Sequence, residues 1–330
     1  MNNLEEKNEK MIRNPHFDDD RVVWKDEYSC VYDSVLDSYS EQFDHQWELL
    51  LNGNPEFAVH ASNIDDKRIS DRVYGITGKH PDGKPWYPDE MDPEFDSFIP
   101  EDAYRNKECA DFGCGPGRWT KTMMKMGAKS VLSVDASEHA IKSVSRFNPN
   151  VLRSNIFDIP EKHPKLKSSF DAAICWGVIM CTHDPKRAFD IVASTIRPEG
   201  SLYIMVYAPS GLHGQQWLVD MRKRFHRELK GYEERMRFCE KLADRRWNND
   251  LSLKRNILFK IEELLGRPKP KVIGYWDAMM PFYNWVIDRE TIKAWYSRNG
   301  FASCIFLNDT GKNWTGLKKW VAYHVYGVKS

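Results

Sequence analysis

The chain has 330 residues, 41% of them apolar, which is enough for a buried core and exceeds the roughly 100 to 200 residues of a single domain. Its 48 Lys and Arg balance 48 Asp and Glu, which argues against general binding to nucleic acid or an anionic membrane. Seven scattered cysteines without a C-x-x-C pair read as reduced thiols, no metal is expected, and the lack of a run of about 20 apolar residues predicts a cytoplasmic protein with no membrane span.

The neutral total conceals two charged blocks. Residues 1–100 carry 10 Lys and Arg against 23 Asp and Glu, and residues 221–260 carry 13 against 6. Both blocks read as solvated helix faces, or as an acidic cap docked beside a basic insert within one subunit or across a homodimer; salt would weaken such a contact.

Residues 1–98 are expected to form an acidic arm and helical cap. Val35, Leu36, Tyr39, Phe43, Trp47 and Leu50 recur at helical spacing, and the proline-rich stretch 69–100 reads as an extended connection. Residues 99–208 form the expected nucleotide-binding core. There an apolar approach carrying Asp111 ends in Gly113, Gly115 and Gly117; glycine lets a turn take positive φ and lets the backbone touch a bound nucleotide. A helix follows and stops at Gly127, and Val131–Asp135 reads as a second strand ending in a carboxylate, the usual place for an acid that grips ribose hydroxyls. Phe170–Ile179 and Ser201–Tyr207 read as further strands around a helix that begins at Pro185. This alternation predicts a mostly parallel sheet covered on both faces.

Residues 209–282 are expected to be a helical insertion that caps the substrate. One stripe in it, Leu253, Ile257, Leu258, Ile261, Leu264 and Leu265, ends at Gly266 and Pro268 and reads as core or dimer interface. Arginines 222, 224, 227, 235, 237, 245 and 246 read as a solvated face or a surface for an anionic substrate. Residues 275–285 read as an aromatic loop, and residues 283–330 are expected to complete the sheet, with an antiparallel strand within Trp320–Val328 last.

The run D-F-G-C-G-P-G, with these elements in this order, resembles motif I of the class I S-adenosylmethionine-dependent methyltransferases, D/E-x-G-x-G-x-G. A dinucleotide fingerprint would need glycine where Arg118 stands, which disfavours a nicotinamide dehydrogenase. The resemblance implies an α/β fold with a Rossmann-like, seven-stranded, mostly parallel sheet, and S-adenosyl-L-methionine as cofactor. Gly113, Gly115 and Gly117 would then shape the methionine end and Asp111 would orient the loop. Asp135, with Ala136 beside it, would hold the ribose, and Asn155 with Ile156 the adenine. Asn155 departs from the family's acid, although its amide oxygen also accepts.

Trp119 and Trp176 offer aromatic faces to a sulfonium. Met180-Cys181-Thr182 replaces a frequent His-His-Thr, leaving His183 as the candidate base. Trp176, His183, Tyr207, Tyr283, Asn284 and Trp285 are expected to line an acceptor pocket. The implied activity is methylation of a small molecule, without nucleic acid; the alternative is a non-catalytic cofactor-binding protein that engages a partner through its insertion.

Overall fold

Short runs of β-branched and small apolar residues alternate with capped helices, and this alternation builds one sheet buried on both faces. The computed structural model describes residues 12–13, 43–49, 51–52, 103–229, 231–244, 253–265, 272–281, 283–306, 309 and 322–330. The expectations for the stretch 69–100, most of the acidic arm, Arg245, Arg246, Gly266 and Pro268 lie outside the described residues.

In chain order the strands are β1 (Ile12–Arg13), β2 (Glu108–Phe112), β3 (Ser130–Asp135), β4 (Val151–Arg153), β5 (Phe170–Trp176), β6 (Ile196–Tyr207), β7 (Val286–Ile287), β8 (Ile305–Phe306) and β9 (Ala322–Val328). Strands β4, β3, β2, β5 and β6 lie side by side and parallel, while β9 runs antiparallel to β6 and β8 antiparallel to β9. That is the expected seven-stranded arrangement. Two-residue strands β7 and β1 extend it beyond Tyr207, making nine strands among the described residues.

Alternation sorts the strands into two cores. Ala110, Phe112, Ala173, Cys175, Leu202, Ile204 and Val206 pack into one cluster, while Cys109, Ala172, Ile174 and Tyr203 pack into another, as a side-chain period of two requires. Helix α1 (Arg118–Lys125) follows β2, α2 (Glu138–Val144) follows β3, and α3 (Pro185–Ser194) follows β5. Ser137 caps α2 by accepting from Ala140 N–H, and Asp184 caps α3 by accepting from Arg187 N–H, so side chains readable in the sequence set where these helices start.

The segment between β6 and β7 is helical, comprising α4 (Gln216–Arg227), α5 (Tyr232–Ala243), α6 (Leu253–Leu264) and α7 (Val272–Met279). Phe225, Phe238, Cys239 and Trp276 form its own apolar cluster, which Trp47 joins. The α6 stripe differs from its expected place in a core. Leu253 is 64% and Leu264 86% exposed, whereas Asn256 and Phe259 supply the buried side. Among the described residues no helix is long and apolar enough to cross a membrane. Helix α8 (Arg289–Arg298), capped by Asp288, then leads to β8 and β9.

Candidate active site

The chain passes from β2 to β3 on one side and later returns to β5 on the other. The carboxyl ends of these strands therefore open onto a crevice where the strand order reverses, the usual ligand position in such sheets. At its floor the glycine turn takes left-handed φ, 72° at Gly113 and 49° at Gly115. A Cβ on Gly113 would stand 2.2 Å from the Val178 side chain, so this turn admits no side chain without moving β5's loop.

Gly113 N–H and Cys114 N–H donate to Val134 O at 2.8 and 3.0 Å, tying the turn to β3. Asp135 is built into the same turn. Its Oδ2 accepts from Gly115 N–H and its Oδ1 from Ser137 N–H, each at 2.8 Å, leaving lone pairs on both oxygens for a ligand. Burial pushes its pKa up to about 6, against the pull of those main-chain donors. Asp111 lies deeper, accepts from Thr120 Oγ1–H at 2.7 Å, and is raised by burial to about 7.

A cavity of about 380 Å³ runs from this turn to the loops after β5 and β6 and on to α7. Gly113, Gly115, Trp119, Asp135, Ala136, Asn155, Ile156, Trp176 and Tyr207 line it. Asp111, Gly117, His183, Tyr283, Asn284 and Trp285 are not among its lining residues. Gly117 instead precedes α1 at φ 90°. The His183 ring packs 4.2 Å from Phe157 and 6.4 Å from Tyr283, centroid to centroid. Trp285 Nε1–H donates to Thr182 O at 2.8 Å, and Asn284 is buried beside His213. Asn155 uses its Oδ1 to accept from Phe157 N–H at 3.1 Å.

Among the lining residues not expected there are Phe43, Trp47, Arg118, His213 and Asp277. Phe43 and Trp47 belong to the helical segment 43–49, and their apolar spacing was a visible sign of burial against something. That segment is pinned at both ends of the cavity. Asp44 accepts from Ser137 Oγ–H at 2.6 Å and from His139 N–H at 2.9 Å, and its other oxygen lies 2.8 Å from His139 Nδ1. Burial opposes its ionisation, but these hydrogen bonds outweigh it and hold Asp44 below the usual carboxylate range. Gln46 Nε2–H donates to Asp277 Oδ1 at 2.6 Å. Arg118 places its guanidinium 5.3 Å from the Trp176 ring centroid, within cation–π range.

The insertion side is held by buried donors. Arg222 donates to Ala278 O and Pro281 O, and His226, kept neutral by burial, donates from Nε2–H to Met279 O at 2.8 Å. Side-chain donors at a helix C-terminus satisfy its last carbonyls, so α4 fixes the end of α7 and with it Asp277. Cys181 also lines the cavity, and burial pushes its thiol up to about 12, which keeps it protonated. Bare main chain at Gly113 and Gly115, the carboxylate of Asp135 and the adjacent aromatic faces fit a nucleoside that carries a cation.

The family described as methyltransferase domain matches residues 86–303. The tRNA U34 carboxymethyltransferases of Campylobacter hominis and Campylobacter fetus subsp. fetus are each 28% identical over 123 residues, covering 34% of this chain and 43% of theirs. The match thus spans less than half the length of these curated relatives. A solved S-adenosylmethionine-dependent methyltransferase from Mesorhizobium loti is 17% identical, with 72% of this chain and 96% of that chain covered and a TM-score of 0.42. Relatives named for tRNA overturn the expectation that excluded nucleic acid. That expectation rested on a neutral sum, and a sum over the whole chain does not describe a local surface such as the basic block at 221–260.

Proposed function

The chain belongs to the methyltransferase-domain family, and on that premise we propose that it methylates a small molecule admitted to the cavity beside Trp176 and Tyr207. It is an S-adenosylmethionine-dependent methyltransferase. The observation that carries the finer reading is the continuity of one cavity, lined by Gly113 and Asp135 at one side and by Tyr207, His213 and Asp277 at the other. When bound, S-adenosylmethionine supplies an electrophilic methyl carbon and a neutral thioether leaving group.

What remains for the protein is chiefly to hold the acceptor in line, a contribution of roughly 7 to 11 kcal/mol in favourable systems. Asp135 would accept from the ribose hydroxyls, and Asn155 and Ile156 would bracket the adenine. Asp111 and Gly117 would support the turn from beneath without touching the ligand. The faces of Trp119 and Trp176 would lie against the sulfonium. Phe43 and Trp47 roof the cavity and would exclude water while the acceptor is bound. His183 packs against Phe157, which favours a structural role for it over proton transfer.

The test is incubation of the purified chain with isotope-labelled methyl donor and either a metabolite extract or bulk tRNA, read by mass spectrometry. Label in a small metabolite is expected. Label in tRNA alone would replace this reading with a second one, a nucleobase acceptor, which the tRNA-modifying relatives and the basic stretch of the insertion favour.

A further inference from the structure

We propose that His213 is the acceptor-binding residue, its Nε2 accepting a hydrogen bond from an O–H or N–H carried on a planar acceptor ring. The proposal rests on the reading of the cavity as the transferase site.

His213 sits in the turn Leu212–Gly214 that follows β6. It is buried, yet it lines the cavity. The turn has no slack: Gly211 N–H donates to Ala208 O at 2.9 Å, and a Cβ on Gly214 would stand 2.0 Å from Pro209 O. The plane of the imidazole is set by the Tyr207 ring, stacked at 3.4 Å between centroids and 8° between planes.

The tautomer follows from its neighbours. Arg222 offers only donors, so Asn284 turns its amide oxygen toward the guanidinium, accepting from it at 3.2 and 3.3 Å. The same oxygen lies 3.0 Å from His213 Nδ1, nearer than the amide nitrogen at 3.3 Å, and this shorter contact favours a proton on Nδ1 donated to the oxygen. Nε2 is left with a lone pair and makes no hydrogen bond among the described residues. With Nδ1 engaged, Nε2 is the ring atom that can accept from a ligand in the cavity this ring lines. Burial, followed by the nearby Arg222 charge, pushes the pKa of His213 down to about 3, so the ring stays neutral and keeps that lone pair at ordinary pH.

The rest of the wall points to the same ligand chemistry. Asp277, the other polar side chain on the insertion side, is also an acceptor group and takes the Gln46 amide N–H. Trp47, Trp176 and Tyr207 line the same space, and an aromatic lining suits a planar ring. A phenol or an N–H heterocycle meets both requirements.

The test uses the full chain saturated with S-adenosylhomocysteine, whose binding is first verified by calorimetry, and phenol with its O-methylated counterpart anisole as probes. In histidine-¹⁵N-labelled protein the His213 signals should report Nδ1 protonated and Nε2 bare, and phenol but not anisole should shift Nε2. His213→Phe should weaken phenol roughly tenfold, one neutral hydrogen bond, with S-adenosylhomocysteine affinity within about twofold; His213→Gln, which keeps an acceptor, should recover most of the loss. Equal responses to phenol and anisole, no response to either, an Nε2–H tautomer, or unchanged phenol affinity in His213→Phe would overturn the proposal and leave the cofactor reading intact. Failure of the unaltered chain to bind S-adenosylhomocysteine would overturn both.

Discussion

Asp135 and Asp111 stand one strand apart, and burial raises both, yet their surroundings give them different tasks. Asp135 lines the cavity with two main-chain N–H groups already on its oxygens. Its ligand contacts are charge-assisted, worth roughly 1.5 to 3 kcal/mol each, so Asp135→Ala should weaken S-adenosylhomocysteine at least about tenfold by calorimetry. Binding draws on the ionised carboxylate and should fade as pH falls through about 6.

Asp111 does not line the cavity, and its pKa of about 7 lies above the ordinary 3.8 because burial penalises its charge. The folded state therefore holds a proton that the unfolded chain releases. The associated stability is full below about pH 4 and is lost as pH rises through about 7. Melting of the cofactor-free protein between pH 4.5 and 8 should show this decline, and Asp111→Asn should flatten it. A decline of undiminished slope in that variant would move its origin elsewhere.

At the scale of elements, helix α7 depends on α4 more than on its own sequence. Arg222 and His226 bond three carbonyls at and beyond its end, at Ala278, Met279 and Pro281. Arg222→Met would leave buried carbonyls without donors, a cost of about 2 to 5 kcal/mol, which urea denaturation should register as a lower midpoint. The segment 43–49 depends in the same way on Asp44, which joins it to Ser137 and His139. Loss of these half-buried hydrogen bonds costs about 1 to 3 kcal/mol. Asp44→Ala should therefore accelerate S-adenosylhomocysteine release several-fold in stopped-flow fluorescence of Trp47, while barely moving the melt of the cofactor-free core. An unchanged release rate would mean that Trp47 and Phe43 keep the roof shut without that anchor.

For the molecule as a whole, the crevice ties binding to stability. A ligand held only by the folded chain adds about 2.7 kcal/mol at a concentration one hundred times its Kd. S-adenosylhomocysteine should accordingly raise the melting temperature, and Asp135→Ala should abolish most of that rise at the same concentration. The cavity gathers residues from positions 43 to 281, so its assembly requires the fold in full. Opposite charge on the acidic first hundred residues and the basic block at 221–260 is complementary at long range, but within the described residues the two parts meet through the His45 and Tyr232 rings, 4.2 Å apart between centroids, and through Trp47 in the insertion's apolar cluster.

The order of strands and helices, the glycine turn and Asp135 were all legible in the sequence, because each depends on local chemistry. Period-two apolar runs specify strands, glycine specifies a turn with positive φ, and Ser137 or Asp184 specifies a helix start. Apolar periodicity also located α6, but it did not reveal which face is covered: Phe259 is buried while the leucines flanking it are open. The acceptor wall was legible only in part: Trp176 and Tyr207 were expected there and line the cavity, whereas Tyr283, Asn284 and Trp285 do not. His183 follows β5 and looked well placed, yet it packs between Phe157 and Tyr283. His213 and Asp277 stand in stretches without any local motif, and they meet Tyr207 only because β6 ends beside the insertion and Arg222 holds the end of α7. Composition and short-range pattern determined the order of elements and the glycine turn; tertiary packing decided which distant residues share the cavity, since the convergence of Phe43, His213 and Asp277 on one space leaves no trace in the spacing of any one segment.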